Sequence, residues 1–168
     1  MIIKFKDKYP EIANTCFIAG DADIIGDVII GSYSSIWFKT VVRGDVNYIR
    51  IGNNTNIQDS SVLHVNSVTH PLVIGNDVTA GHMVILHGCS IKDRVLIGMG
   101  AIIQDGAVIE SDTLIAAGSV VTQNSHIPSG KLVMGTPAKI KRDLTKDEIK
   151  SIKESSVNYV KNAEAYRQ

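Results

Sequence analysis

The sequence predicts an all-β solenoid of short parallel strands, with one α-helix at its C-terminus. Three observations predict this fold class in the 168-residue chain. An aliphatic residue recurs every six positions, glycine often follows it directly, and a helical apolar stripe is confined to the last residues. A six-residue period with glycine and β-branched residues is typical of stacked coils of short parallel strands.

The repeat comprises eighteen units. A small or β-branched residue lies four positions after each aliphatic one, as at Val28, Val46 and Ser67. We expect both sets to point into a common core, stacked from coil to coil. The aliphatic positions are Ile12, Ile18, Ile24, Ile30, Ile36, Val42, Ile51, Ile57, Leu63, Ile74, Ala80, Leu86, Ile91, Ile97, Ile103, Ile109, Ile115 and Val121.

The spacing of the units gives the number of units in each turn. Every step is six residues except those after Val42, Leu63 and Leu86, which are nine, eleven and five residues. These are the sixth, ninth and twelfth units, so the irregular steps fall on every third unit. The pattern predicts about six triangular coils, with all the irregular steps at one corner of the prism.

The ends of the repeat set the boundaries of the solenoid. We expect residues 1–11 to be a lead-in that caps the first coil. Residues 133–138 contain a Gly/Pro turn through which the chain leaves the solenoid. The sequence therefore predicts a β-helix domain over residues 1–140.

The C-terminal segment carries helix signals. Thr145 and Glu148 have the spacing of a capping box, and an apolar stripe at helical period follows them. The pattern predicts a helix over about residues 146–167. We expect this segment, residues 141–168, to pack along the prism or on a neighbouring subunit.

The composition excludes several classes of partner. The chain has 17 basic and 17 acidic residues and only 5% aromatic residues, which argues against nucleic acid and anionic membranes. No apolar run approaches ~20 residues, and the N-terminus has no signal-peptide pattern. Cys16 and Cys89 form no disulfide framework, so we expect a cytoplasmic protein. Both occupy inward small-residue positions of the repeat, so we expect buried thiols.

The six-residue arithmetic brings chemistry-bearing residues together. Arg43, His64 and His87 each directly follow the aliphatic residue of the sixth, ninth and twelfth units. They therefore stack in one column, about 4.8 Å apart at the backbone. His82 lies on the adjacent face, and Asp59 holds the equivalent place one coil below it.

These histidines form a candidate metal site. Three neutral imidazoles with an open fourth position are a catalytic zinc arrangement, which lowers the pKa of a bound water towards ~7. Cobalt and ferrous iron also accept such ligands. We interpret His64, His82 and His87 as metal ligands; the alternative is that they are separate polar side chains on a solenoid surface.

At these residues the chain resembles the γ-class carbonic anhydrases, in particular their short bacterial homologues. The specific motifs are Arg43-Gly44-Asp45, residues 56–64 (NIQDSSVLH) and residues 81–89 (GHMVILHGC). The hexapeptide repeat alone is shared with many acyltransferases. The resemblance implies a left-handed parallel β-helix and a homotrimer with zinc held between subunits.

The resemblance also implies which subunit supplies each metal ligand. His64 and His87 would come from one subunit and His82 from its neighbour. Gln58 would hydrogen-bond the bound hydroxide or bicarbonate, and Asn56 would orient Gln58.

Three further residues take roles by the same resemblance. Arg43 would pair with Asp45 and Asp59 near the subunit interface, holding neighbouring subunits in register. Tyr159 matches a position at which a tyrosine or asparagine faces the metal pocket; simple packing is the alternative.

Two departures from the family pattern concern proton transfer. The prototype has a glutamate after the aspartate of its R-x-D segment, where this chain has Val46. It also has an acidic loop with a proton-shuttle glutamate, whereas residues 65–73 here are short and contain no carboxylate. Both departures bear on turnover, which requires a proton to leave, and not on metal binding. His70 could act as a shuttle instead, or be a turn residue before Pro71.

The sequence thus predicts a zinc-dependent lyase that reversibly hydrates carbon dioxide to bicarbonate. A second hypothesis is an acyl-CoA transferase or thioesterase with one histidine as general base, because the hexapeptide fold often hosts that chemistry. Clustered histidines and the lack of a long cofactor-binding loop disfavour it. A third hypothesis, kept open by the missing glutamates, is a non-catalytic metal-binding or assembly subunit.

Overall fold

A computed structural model describes residues 1–167, which form a parallel β-solenoid of about seven turns with one C-terminal helix. The predicted β-helix is confirmed. The elements are β1 (Ile2–Ile3), β2 (Glu11–Ile12), β3 (Phe17–Ile18), β4 (Asp23–Ile30), β5 (Ser35–Ile36), β6 (Val41–Ile51), β7 (Asn56–Ile57), β8 (Val62–His64), β9 (Leu72–Ile74), β10 (Thr79–Ala80), β11 (Ile85–His87), β12 (Ser90–Ile91), β13 (Val95–Ile97), β14 (Ile102–Ile103), β15 (Val108–Ile109), β16 (Thr113–Ile115), β17 (Val120–Val121), β18 (His126–Ile127), β19 (Lys131–Gly135), β20 (Ala138–Asp143) and α1 (Lys146–Tyr166).

The strands stack in three columns, which are the faces of the prism. The first face contains β1, the first half of β4, the first half of β6, β8, β11, β14 and β17. The second contains β2, the second halves of β4 and β6, β9, β12, β15 and β18. The third contains β3, β5, β7, β10, β13, β16 and β19, and β20 pairs antiparallel with β19. Three strands per turn agree with the predicted triangular coil.

The solenoid has about seven turns, one more than the repeat count predicted. β1, β18 and β19 supply the additional turn, one strand on each face. The lead-in is therefore partly a strand, since Ile2 pairs with Ile24. At the other end the six-residue period continues through Ile127 to Val133, and both side chains are buried. The chain leaves the parallel stack only at the hairpin between β19 and β20.

The repeated aliphatic residues form the core. All of the predicted positions are buried except Ile12 and Ile18, which are half-buried near the open end of the first coil. Partners stack in register along the axis, as Val42 does on Leu63 and Leu63 on Leu86. Because each layer repeats the one below, the backbone hydrogen bonds run along the axis and the side chains fill the interior.

The irregular steps lie at one corner, between the first and second faces, as predicted. The prediction for the small-residue positions there was wrong: Val46 and Ser67 are exposed, and Ser90 is half-buried. The longer or shorter corner shifts the inward position, so Ile49, Leu72 and Cys89 are buried instead.

Glycines at the end of the second-face strands allow close approach between coils. A Cβ added to Gly52 would lie 2.6 Å from the carbonyl carbon and oxygen of Gly75, and one added to Gly31 would lie 2.8 Å from those of Gly52. Such distances are far inside van der Waals contact. At the corner between the second and third faces, the stacked backbones therefore leave no room for a Cβ, and glycine is required there.

We expect Gly52→Ala to destabilise the fold by about 1–3 kcal/mol. The new methyl group would clash with the backbone of Gly75, which cannot move aside as a flexible side chain can. The measurement is the midpoint of thermal or denaturant unfolding. Gly20→Ala is the matched control, since a Cβ there meets no atom within 4 Å. Equal midpoints for the two variants would contradict the steric explanation.

Helix α1 confirms the predicted element and its start. Thr145 accepts a hydrogen bond from the backbone of Glu148, and the Glu148 carboxylate accepts one from the backbone of Thr145. Ile152, Ser156 and Ala163 are buried, and the helix contacts β3, β5, β7 and β10. It therefore packs on the third face of its own chain.

The predicted cytoplasmic location stays a prediction. Across residues 1–167, no helix combines the length and apolarity needed to cross a membrane.

Candidate metal centre

Two of the predicted metal ligands face each other at the corner between the first and second faces. His64 and His87 end β8 and β11 and pair in register. Their ring centroids are 5.1 Å apart, and His64 Nδ1 lies 3.1 Å from His87 Nε2. Arg43 directly follows Val42, which pairs with Leu63, so it occupies the same column one coil below.

In each imidazole, the ring nitrogen that does not face the other histidine contacts a carboxylate. Asp45 Oδ1 lies 3.0 Å from His64 Nε2, and Asp105 Oδ1 lies 2.5 Å from His87 Nδ1. Asp45 also forms an ion pair with Arg43. Burial alone would raise the pKa of Asp45, but hydrogen bonds from His64 and Arg43 outweigh it and hold that pKa below its ordinary value. Asp45 is therefore an ionised acceptor.

The third predicted ligand lies at the other edge of the first face. His82 is at the corner between β10 and β11, and its Nδ1 lies 2.8 Å from Asp59 Oδ2. Within this chain Asp59 therefore contacts His82, while Arg43 pairs with Asp45. His82 and His87 are separated by the strand β11. Among residues 1–167 no group of three histidine, cysteine or acidic side chains converges tightly enough to hold a metal ion.

The residues at the His64–His87 corner fit a metal ion. Two nitrogens bound to a tetrahedral zinc at 2.0–2.1 Å stand about 3.3 Å apart, close to the 3.1 Å between His64 Nδ1 and His87 Nε2. A metal-binding histidine usually donates its other N–H to a carboxylate or carbonyl. Both imidazoles have such a carboxylate, so the corner offers half of a tetrahedral site.

Gln58 and Asn56 lie on the third face beside His82 and are buried. The amide of Gln58 donates to Asn56 Oδ1 at 3.1 Å, and Asn56 donates to Thr79 Oγ1 at 2.9 Å. Thr79 in turn donates to Ser155 of α1 at 3.2 Å. The two residues are thus joined, and this chain of hydrogen bonds fixes the Gln58 amide. Contact between Gln58 and a bound ligand stays a prediction.

A cavity of about 460 Å³ lies between His82 and helix α1. Asp59, Trp37 and Tyr159 are among its lining residues. The Tyr159 ring packs edge-on against Trp37 with centroids 5.5 Å apart. Burial, and to a lesser extent Asp59, raises the pKa of Tyr159, so the phenol stays protonated. Tyr159 therefore packs against Trp37 and lines this cavity, while its position facing a metal pocket stays a prediction.

The first face between the two groups carries an outward apolar ladder. Val62 and Ile85 are 40% and 38% exposed. They pair with each other in register, and further aliphatic residues continue the ladder above and below. The ladder consists of Val41, Val62, Ile85, Ile102 and Val120. The face that separates the predicted ligands is therefore suited to burial.

The short loop over residues 65–71 covers the corner above His64. Asn66 donates to Asp105 Oδ2 at 3.3 Å, which ties the loop to the carboxylate beside His87. His70 is half-buried, with Nδ1 2.6 Å from Thr69 Oγ1, and it lies over Gly88 and Gly106. A role for His70 as a proton shuttle stays a prediction.

Asp105 is the site residue that the sequence reasoning missed. It reads as part of an ordinary turn between Ile103 and Ile109. The available signal was its position 18 residues after His87, which places it on the next coil, one residue beyond the column that His87 shares with Gln104. Cys89 is buried as expected, and burial raises the pKa of its thiol. Cys16, for which a buried thiol was also expected, is only half-buried.

Residues 88–123 match a family model described as "Bacterial transferase hexapeptide (six repeats)". The chain is 57% identical over 153 residues to the "Probable carbonic anhydrase" of Methanocaldococcus jannaschii, covering 91% of this chain and 96% of that protein. It is 49% identical over 167 residues to the "Carbonic anhydrase" of Geobacillus kaustophilus, covering 99% and 91%.

A plant relative and a solved structure extend these comparisons. The "Gamma carbonic anhydrase 1, mitochondrial" of Arabidopsis thaliana is 47% identical over 165 residues, and the match covers 95% of this chain but 60% of that protein. A solved "hexapeptide transferase family protein" from Anaplasma phagocytophilum superposes with a TM-score of 0.95 at 43% identity, covering 98% of this chain and 97% of that one.

Proposed function

Because the chain belongs to the γ-class carbonic anhydrase family, we propose that it is a zinc-dependent lyase that reversibly hydrates carbon dioxide to bicarbonate. The observation that carries the proposal is the pair of facing nitrogens, His64 Nδ1 and His87 Nε2, 3.1 Å apart. Each imidazole also contacts an aspartate through its other ring nitrogen. Cobalt or ferrous iron could replace zinc on the same ligands.

We further propose that the active form is a homotrimer with a metal at each subunit interface. One protomer places His82 and His87 at opposite edges of its first face. Three copies arranged around a three-fold axis, with their first faces inward, would bring the His82 edge of one copy to the His64–His87 edge of the next. The outward apolar ladder supports this arrangement, because the axis would bury it.

The residues around the site have separable tasks. Zinc, when bound, acts as a Lewis acid and lowers the pKa of a coordinated water towards neutrality. Gln58 would orient the carbon dioxide or bicarbonate with an amide that Asn56 and Thr79 hold in place. Asp59 would keep His82 Nδ1 engaged, which leaves its Nε2 to bind the metal.

The first test combines metal content with turnover, on full-length protein purified without a metal-chelating tag. We expect about one metal per chain and stopped-flow hydration of carbon dioxide that a chelator abolishes and zinc, cobalt or ferrous iron restores. Protein that is metal-free and cannot be reconstituted would overturn the proposal.

The same preparation separates the alternatives. The matching family model and the solved structure from Anaplasma phagocytophilum are both described as transferases. An acyl-CoA transferase or thioesterase is therefore the second candidate function. Thioester turnover that is insensitive to a chelator would favour that function. Bound metal without turnover of either substrate would favour a metal-binding or assembly subunit. The physical basis for that outcome is proton transfer, because Val46 and the loop over residues 65–73 offer no carboxylate to accept the proton.

A further inference from the structure

Each of the three histidines in the proposed site has its own aspartate. Asp45 contacts His64, Asp59 contacts His82, and Asp105 contacts His87. We propose that Asp105 is a positioning residue of the metal centre, which fixes the ring of His87 so that Nε2 faces the metal. This inference rests on the proposed function, because it assigns a role within the same site.

The Asp105 carboxylate is held at both oxygens. Oδ1 lies 2.5 Å from His87 Nδ1, and Oδ2 accepts from Asn66 Nδ2 at 3.3 Å. Its side chain is 17% exposed, so water competes weakly for these contacts. A charge-assisted hydrogen bond to a carboxylate anchored in this way defines the orientation of the imidazole more strongly than a neutral one.

The backbone between His87 and Asp105 is adapted to this contact. A Cβ added to Gly88 would lie 2.4 Å from Asp105 Oδ1, and Gly88 has a φ of +52°, in the left-handed region. Any side chain at this position would displace the carboxylate. Because Gly88 has no side chain, Asp105 on the next coil can contact His87.

The contact decides which nitrogen of His87 can bind a cation. A neutral imidazole that donates from Nδ1 has an unprotonated Nε2, and only an unprotonated nitrogen binds a metal. Nε2 is the atom that faces His64 Nδ1. Without Asp105, the ring of His87 is free to rotate, so the metal loses a preorganised ligand.

The test compares zinc affinity in wild type, Asp105→Ala, Asp105→Asn and Asp112→Asn, by competition with a chromogenic chelator at fixed pH. Asp112→Asn is the matched control, because Asp112 pairs with Arg94 at another corner of the solenoid. We expect Asp105→Ala to weaken zinc binding about 10–100-fold. Asp105→Asn should show a smaller loss in the same direction, and the control should stay within about threefold of wild type.

A second readout reports the orientation directly. In zinc-loaded protein with ¹⁵N-labelled histidine, we expect a protonated, hydrogen-bonded Nδ1 at His87 in wild type and in Asp112→Asn. In the Asp105 variants that proton should exchange rapidly and its signal should weaken or vanish. A merely structural role for Asp105 would leave this signal unchanged.

The outcomes separate the inference from the function on which it rests. Wild-type affinity and an unchanged Nδ1 proton in Asp105→Ala would overturn the role of Asp105 while leaving the carbonic anhydrase proposal intact. Failure of wild type to bind zinc, cobalt or ferrous iron would overturn both. If Asp105→Ala does not fold, the decision falls to Asp105→Asn, and equality with wild type in both readouts rejects the inference.

Discussion

Replacing His82 by alanine is expected to lower the bound metal from about one per chain to near zero and to reduce carbon dioxide hydration by roughly a hundredfold or more. His82 is the only predicted ligand at its edge of the first face, and it is half-exposed, so its loss leaves two nitrogens and a folded solenoid. Metal analysis and stopped-flow hydration measure the two effects. His126→Ala is the matched control, because His126 is exposed and pairs with Glu110 on the second face.

Mixing two inactive variants tests which chains supply the ligands. His82→Ala and His87→Ala, unfolded and refolded together in equal amounts, should recover about a quarter of the wild-type metal and activity, since one interface in four then combines an intact pair with an intact His82. Neither variant refolded alone should recover any. A site contained in one chain predicts no recovery from the mixture, and that result would refute the shared site.

Replacing Ile85 by aspartate is expected to convert the trimer to monomers and to abolish metal binding at the same time. Ile85 points outward from the middle of the first face and is 38% exposed, so the solenoid itself tolerates the change. In the proposed trimer, three carboxylates would meet near the axis without partners, at a cost of several kcal/mol. Analytical ultracentrifugation and metal analysis on the same sample give both results.

The control for this variant is Val73→Asp. Val73 is also an outward strand residue with 36% exposure, but it lies on the second face. It should leave the trimer and its metal unchanged. Monomers from Val73→Asp, or a metal-loaded trimer from Ile85→Asp, would place the subunit interface on another face.

Most of the solenoid could be predicted because its period is local. Every sixth residue faces inward, so Ile24, Leu63 and Ile97 are identified by counting alone. The end turns were harder. Ile127 and Val133 continue the period, but Pro128 and the Gly/Pro turn beyond them resemble an exit from the fold. Ile2 pairs with Ile24 across an irregular N-terminal turn, which no fixed spacing reveals.

The site was predictable to the extent that it follows the same columns. His64 stacks on His87, and Asp59 lies below His82, because each pair is one coil apart. Asp105 follows a different rule, since it reaches His87 across the corner and not along a column. That reach depends on the missing side chain of Gly88 and on Asn66, which are tertiary features that a repeat count does not contain.

The aromatic cluster under helix α1 gives this chain a built-in optical probe. Trp37 is the single tryptophan, is 6% exposed, and packs against Tyr159 and Tyr166 of the helix. It also lines the cavity that contains His82. The wavelength of its fluorescence emission therefore depends both on whether helix α1 is docked and on whether water fills the cavity. Release of the helix would shift that emission to the red, without any added label.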